Sequence, residues 1–216
     1  MGGGGQQTQG GRSFGIPGGA LGGIAAGGLF GMLLGNKKMR KMAGGAVGYG
    51  GAAVLGALAH RAYQNWQGGQ RVDQAPVATA ADAPQQGSRF APATGADGKP
   101  FALALIGSMI AAANADGHID TDEKKQIFEA AERGDLDAEG KAFIFDAMRN
   151  PLSPGQIAAL AKDQEQAAEL YLAARVAIDP DHPEEKAFLK TLAQALSLPD
   201  GLVSHLDSQV ARNLES

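Results

Sequence analysis

The chain has no cysteine among its 216 residues. This excludes disulfides, thiolate metal sites and cysteine nucleophiles. Motifs of the common catalytic classes are missing as well: there is no Gly-x-Ser-x-Gly elbow, phosphate loop, His-Glu-x-x-His sequence or dinucleotide fingerprint. The sequence also lacks a run of alternating polar and apolar residues that would predict a β-strand. We therefore expect an all-α protein that is not an enzyme.

Acidic residues are absent from the first 66 residues, which contain six Lys or Arg. All 23 acids follow, against 13 bases, so the remainder has a net charge of −10. Such asymmetry predicts two physical environments. The acidic part excludes nucleic acid as an expected partner, because phosphate binding needs clustered Lys and Arg. The Gly- and Gln-rich start does not have the pattern of a signal peptide.

Two long uncharged runs lie in the basic part of the chain. Residues 14–35 and 42–59 carry no charge, and a short basic turn at 36–41 joins them. Runs of this length predict a helical membrane hairpin over 14–66, with Tyr63 and Trp66 at the membrane interface. The basic residues of the turn predict that it lies on the cytoplasmic side of the membrane. Both chain ends then lie outside the cytoplasm if both runs span, whereas with a single span the side depends on which run crosses.

Small residues recur every four positions in both runs. This spacing puts them on one helix face, where two backbones can approach closely. The predicted packing face consists of Gly19, Gly23, Gly27, Gly31, Gly35, Gly44, Gly48, Ala52 and Gly56. It predicts membrane insertion with packing of the two runs or self-association. The alternative is a flexible Gly/Ala-rich tail, because Gly is a poor helix former in water.

The remaining chain divides by composition into three parts. Residues 1–13 are predicted to be a disordered Gly/Gln-rich tail, and the Ala-, Pro- and Gln-rich residues 67–100 a disordered linker. Residues 101–216 show apolar residues at helical spacing and repeated helix-start signals, such as Ser153 with Gln156 and Asp163 with Gln166. They predict a bundle of about seven helices: 101–115, 120–133, 137–149, 154–161, 164–178, 183–197 and 200–213.

An acidic loop separates the first two helices of this predicted bundle. Four acids and a histidine fall within eight residues: Asp116, His118, Asp120, Asp122 and Glu123. Carboxylates so close repel one another unless a cation, solvent or a hydrogen-bond donor relieves them. Oxygen ligands suit calcium, magnesium or manganese, and His118 or His182 would admit zinc. The alternative is that these acids only cap helix starts.

Two acidic phrases carry a resemblance to a known family. They read Asn-Ala-Asp-Gly-His-Ile-Asp-Thr-Asp-Glu at 114–123 and Ala-Ile-Asp-Pro-Asp-His-Pro-Glu-Glu at 177–185, and Leu-Ala-Gln-Ala-Leu-Ser-Leu-Pro follows at 192–199. In both, an apolar helix pattern ends at an Asp and the next helix opens with Glu, as in a duplicated unit. This chain resembles the TerB-like tellurite-resistance superfamily. With the Gly-rich hairpin, it is similar to the YebE-type bacterial inner-membrane proteins, domain of unknown function 533.

The resemblance implies an all-helical TerB-like bundle, a location in the bacterial inner membrane and a role in envelope or metal stress. It also implies a divalent cation bound by acidic residues. In this sequence those residues are Asp116, Asp120, Glu123, Asp179 and Glu185. His118 and His182 are additional candidate ligands because imidazole binds zinc. Pro183 stands where the second phrase would supply its middle carboxylate. The first hypothesis is thus a membrane-anchored module that binds a cation or docks a partner; the alternative is an interaction module whose acids are only caps.

Overall fold

The computed structural model describes residues 51–85, 87–117, 137–178 and 182–214. Within these ranges it has seven α-helices, one short 3₁₀ helix at Ala80–Asp82 and no β-strand. The helices are α1 Gly51–Gln67, α2 Phe101–Ala113, α3 Ala138–Arg149, α4 Pro154–Ala158, α5 Gln164–Ala177, α6 Pro183–Ala195 and α7 Asp200–Leu214. The all-α prediction is confirmed here, and α2 to α7 match six predicted helices within a few residues. The predicted helix 120–133 lies outside the described residues.

Local sequence signals explain where several helices begin. Three helices start at a side chain that accepts a hydrogen bond from the backbone N–H three residues later: Asp137 for α3, Ser153 for α4 and Asp163 for α5. Ser153 forms a complete capping box with Gln156, followed by Pro154 at the first helical position. These caps satisfy amides that have no partner within the helix. The sequence-based helix starts at Ser153 and Asp163 are therefore confirmed.

Helix α5 is the centre of the bundle. Every residue from Glu165 to Ala174 is buried, and α5 contacts α1, α2, α4, α6 and α7. A helix buried on all sides must be surrounded by other elements, which is why its apolar residues show no single stripe. The most extensive packing is between α5 and α2, whose residues are also almost all buried.

Helices α2 and α5 run in the same direction. Their beginnings lie beside the same short segment, since the Phe101 N–H donates to Ala93 O at 3.2 Å and Gln166 Nε2 donates to Thr94 O at 3.3 Å. Midway along both helices, Ser108 Oγ donates to Leu170 O at 2.8 Å, across 62 positions of sequence. The two acidic phrases are offset by nearly the same number of positions. Parallel packing therefore places the C-terminal ends of α2 and α5 on the same side of the bundle.

The position of α1 differs from the hairpin prediction for residues 51–66. Leu55, Leu58 and Ala59 are buried in the core, and α1 packs on α5 and α7. Gly56, predicted to face a second membrane helix, lies against Pro84, whose Cγ would be 2.8 Å from an added Cβ. The same helix carries Ala52, which is half-buried against the core. Close packing inside a bundle needs small residues at helical spacing just as a membrane pair does, so the pattern could not separate the two environments.

The two aromatic residues predicted at a membrane interface also pack within the bundle. Tyr63 donates a hydrogen bond to Gln164 Oε1 at 3.1 Å, and the Trp66 ring lies against Gly201. Residues 14–50 of the predicted hairpin lie outside the described residues. Among the residues that are described, no helix is long and apolar enough to cross a membrane.

Residues 68–100, which we call the strap, differ from the predicted disordered linker. Phe90 is 7% exposed and Ala75 is 1% exposed, so both are part of the protein interior. Side chains of the helices form hydrogen bonds with the strap backbone. Asn65 and Gln209 donate to Pro76 O, and Gln166 donates to Thr94 O. Gln209 accepts the Ala78 N–H, and Glu169 accepts the Ala91 N–H. These contacts replace the partners that a helix or sheet would supply. The composition of the strap predicted disorder because the helix side chains that bind it lie far away in the sequence.

Candidate functional site

One end of the bundle holds the described residues of both acidic phrases. We call it the acidic end; it consists of residues 114–117 after α2, Ile178 after α5 and the start of α6 at His182. After α2 the chain turns at Gly117, whose φ of +80° favours glycine. Asp116, just before it, is half-buried. The described part of the first acidic phrase, residues 114–117, therefore follows directly on the end of α2.

The second acidic phrase begins where α5 ends. Arg175 Nη1 donates to Ile178 O at 3.2 Å, which places a cation beside the carbonyl end of α5. His182 occupies the N-cap position of α6 and Pro183 its first position, but the His182 side chain makes no cap hydrogen bond. Four residues of chain span at most about 14 Å, so α6 must begin near the end of α5. Glu185, half-buried in the first turn of α6, therefore belongs to the acidic end.

The proposed cation ligands are only partly within the described residues. Asp116, Glu185 and the additional ligand His182 lie at the acidic end, whereas Asp120, Glu123, Asp179 and His118 lie outside the described residues. Of the predicted packing face, Gly19, Gly23, Gly27, Gly31, Gly35, Gly44 and Gly48 are likewise outside them. The part of the chain that the structure describes contains no group of three or more His, Asp or Glu residues that could hold a metal ion.

Two buried carboxyl groups fasten the strap, and sequence analysis missed both. The Glu169 side chain accepts the Ala91 N–H at 2.8 and 3.0 Å, and Ala91 has a positive φ of 50°. Burial raises the pKa of Glu169 well above its ordinary value; the hydrogen bond from Ala91 opposes this and the charge of Asp163 adds to it. The sequence feature that could have revealed Glu169 is that it is a single acid within the Ala-rich, apolar run of α5.

Asp82 makes the second attachment. It is 6% exposed, pairs with Arg61 at 2.6 Å and accepts the Thr79 N–H at 2.7 Å. Burial works against its ionisation, but the Thr79 hydrogen bonds and the Arg61 charge together hold the pKa of Asp82 below its ordinary value. Asp82 thus links the strap to α1 as a charged group, whereas the environment of Glu169 favours its neutral form.

A groove lies between α6 and α7, with α5 beneath it. Its volume is about 570 Å³. On the α5 side, Tyr171 donates to Asp207 Oδ1 at 3.0 Å and Arg175 Nε lies 3.5 Å from the same oxygen. Burial raises the pKa of Tyr171 above its ordinary value, and the charge of Asp207 adds to the rise. This hydrogen-bonded group fixes α7 to α5 and forms one wall of the groove.

Comparison with known proteins places the chain in a family without an assigned activity. A protein of Yersinia enterocolitica, described as "Uncharacterized protein in ampR 5'region", is 27% identical over 135 residues, which are 62% of this chain and 94% of that protein. No solved structure matches the chain. The profile of the family described as "Protein of unknown function (DUF533)" matches residues 19–210. The chain therefore belongs to the DUF533 family.

Proposed function

We propose that the chain is a non-catalytic, TerB-like helical module of the bacterial inner membrane, of YebE type, that binds a divalent cation at the acidic end. The observation that carries this proposal is the parallel packing of α2 and α5, fixed by the hydrogen bond between Ser108 and Leu170. Two acidic phrases that are far apart in sequence follow these two helices. Convergent carboxylates are the ligands that hard cations prefer.

The ligand set would combine both phrases. Asp116 and Glu185 would contribute from the described part of the acidic end, and Asp120, Glu123 and Asp179 from the residues that adjoin it in sequence. Oxygen ligands of this kind select calcium, magnesium or manganese, and participation of His118 or His182 would favour zinc. A cation would relieve the repulsion among these carboxylates, so binding should stabilise the folded chain.

The membrane part of the proposal rests on the residues that precede α1. Residues 14–35 carry no charge and are long enough for one span, and 42–50 continue without charge towards α1. The glycines at spacing of four in this segment would allow two helices of one chain, or of two copies, to pack closely. The module would then be attached to the membrane through its N-terminal part, with the bundle held beside the bilayer.

Thermal unfolding of the full chain tests cation binding. A cation that binds only the folded state raises stability by RT ln(1 + [L]/Kd). We expect a higher melting temperature with millimolar calcium, magnesium, manganese or zinc than with a chelator. No rise with any of the four would contradict the proposal.

A pair of variants locates the effect. Asp116→Asn should abolish the cation-dependent rise and change the cation-free stability by less than about 0.5 kcal/mol, because Asn keeps the size and one acceptor oxygen of Asp. The matched control is Asp97→Asn at the other end of the bundle, where an amide oxygen can still accept the Lys99 N–H. The control should keep the full cation response.

The alternative is a protein interaction module whose acids are only helix caps. It is favoured by Asp137 and Asp163, which do cap α3 and α5 in this structure. Under this alternative, Asp116→Ala would lower the cation-free stability by about 1 kcal/mol through a lost hydrogen bond. The response to cations would be the same in the variant and in the unmodified chain.

A further inference from the structure

The groove between α6 and α7 exists because two consecutive helices diverge. Only the four residues Leu196 to Pro199 link them, yet α6 packs mainly on α4 and α5, and α7 mainly on α1 and α5. The gap between them is the groove of about 570 Å³. Small-molecule sites typically have volumes of about 300–1,000 Å³, so the groove has the size of such a site.

Apolar side chains line the groove from both helices and from the link between them. They are Leu189, Ala193, Leu198, Val203 and Ala211. Leu189 and Leu198 are already buried, whereas Ala193, Val203 and Ala211 keep part of their surface exposed to the groove. Covering this surface with an apolar molecule would be favourable by the hydrophobic effect. The small Ala193 leaves room that a larger side chain would fill.

Charge is distributed unevenly along the groove. Its lining includes the cations Arg175, Lys186 and Lys190 and the acids Asp200 and Asp207. Arg175 and Asp207 face each other at 3.5 Å and largely neutralise each other. Lys186 and Lys190 are one helical turn apart, and Lys190 is exposed. Asp200 opens α7 beside the link, next to the other end of α6, so the two lysines of the lining lie away from Asp200, while Glu184 and Glu185 open α6 outside the lining.

We propose that this groove binds an apolar carboxylic acid of medium length, with its chain on the apolar side chains and its carboxylate at Lys190. The exposed Lys190 in the lining and the apolar surface along the rest of the groove complement a molecule with one anionic group and an apolar body. This site is separate from the cation-binding proposal, since it uses none of the residues proposed as cation ligands.

Photolabelling of the full chain tests the proposal directly. The probe is octanoate carrying a diazirine on its chain, which stays monomeric at sub-millimolar concentration. We expect the label on peptides that contain α6 and α7, with competition by octanoate and weaker competition by octanol or octylammonium at the same concentration. Label spread over the chain, or equal competition by octanol, would overturn the proposal.

Three variants distinguish the groove from general adsorption of the probe. Lys190→Gln should reduce groove labelling by about 1.5-fold to fivefold, the range of one exposed ion pair. Arg149→Gln removes a positive charge from the exposed end of α3, outside the groove, and should leave labelling unchanged. Ala193→Phe fills the groove and should abolish labelling while the melting temperature shows that the chain remains folded. Equal labelling of the Lys190→Gln and Arg149→Gln variants would contradict a carboxylate at Lys190.

Discussion

Glu169 shows at the scale of one residue how a buried acid can hold a surface segment. Its carboxyl group is buried and accepts one backbone N–H from the strap. Because burial raises its pKa, the folded chain holds a proton that the unfolded chain releases above about pH 4.3. The stability that this proton confers is fully present below that pH. It is lost as the pH rises through the pKa of the folded state.

Glu169→Gln should therefore be at least as stable as the unmodified chain at pH 7. The Gln carbonyl oxygen still accepts the Ala91 N–H, but there is no charge to bury. Urea unfolding across pH 4 to 8 should show a smaller fall in stability with rising pH for the variant. Glu165→Gln is the control, because Glu165 pairs with Arg89, whose side chain is 73% exposed. A Glu169→Gln variant that loses more than about 1 kcal/mol at every pH would contradict this explanation.

At the scale of elements, the contact between α1 and the strap can be tested at Gly56. An added Cβ would lie 2.8 Å from the Pro84 ring and 3.0 Å from Ala91 Cβ, so the strap would have to move. We expect Gly56→Ala to cost about 1–3 kcal/mol, as overpacking usually does. Limited proteolysis should cut the strap faster in this variant.

The matched control for this element is Gly155→Ala in α4. Nothing lies within 4 Å of a Cβ added there, and alanine favours the helix. Its stability should be unchanged or slightly higher. Equal stability of the two Gly→Ala variants would mean that α1 and the strap are not tightly packed.

The start of α4 gives a second test at this scale. Ser153 Oγ accepts the Gln156 N–H, and Gln156 Oε1 accepts the Ser153 N–H at 2.9 Å. Ser153→Ala should lower stability by about 1 kcal/mol through loss of the cap. Chemical denaturation measures this loss. A change below a few tenths of a kcal/mol would show that tertiary packing alone holds this short helix.

For the whole molecule, the sequence predicted the bundle well and its N-terminal boundary poorly. Helical spacing and caps such as Ser153 and Asp163 are local signals, and they located six helices. The inclusion of α1 and the strap depends on distant partners such as Glu169 and Gln209, which no local pattern shows. The acidic phrases predicted candidate ligands, but whether these residues can approach one another depends on the parallel direction of α2 and α5. Direction is a property of tertiary packing, not of composition.

Deletion of residues 1–50 tests the membrane part of the account. The truncated chain still begins with α1, so the buried residues Leu55 and Leu58 remain available to the core. We expect the full chain to stay in the membrane pellet after alkaline carbonate extraction and the truncated chain to be released. Retention of the truncated chain, with the melting temperature of a folded protein, would contradict anchoring through the N-terminal segment.

Paramagnetic broadening by Mn²⁺ tests most directly whether a cation binds at the acidic end. Manganese accepts the oxygen ligands proposed, and its unpaired electrons broaden nearby amide signals. In the full chain, substoichiometric Mn²⁺ should broaden Ala113 and Ile178 first. The signals of Phe101 and Gln164, about 20 Å away at the other ends of α2 and α5, should stay sharp. Excess Mg²⁺ or Ca²⁺ should reverse the broadening. Broadening spread evenly over the chain, or none at Ala113 and Ile178, would contradict the proposed site.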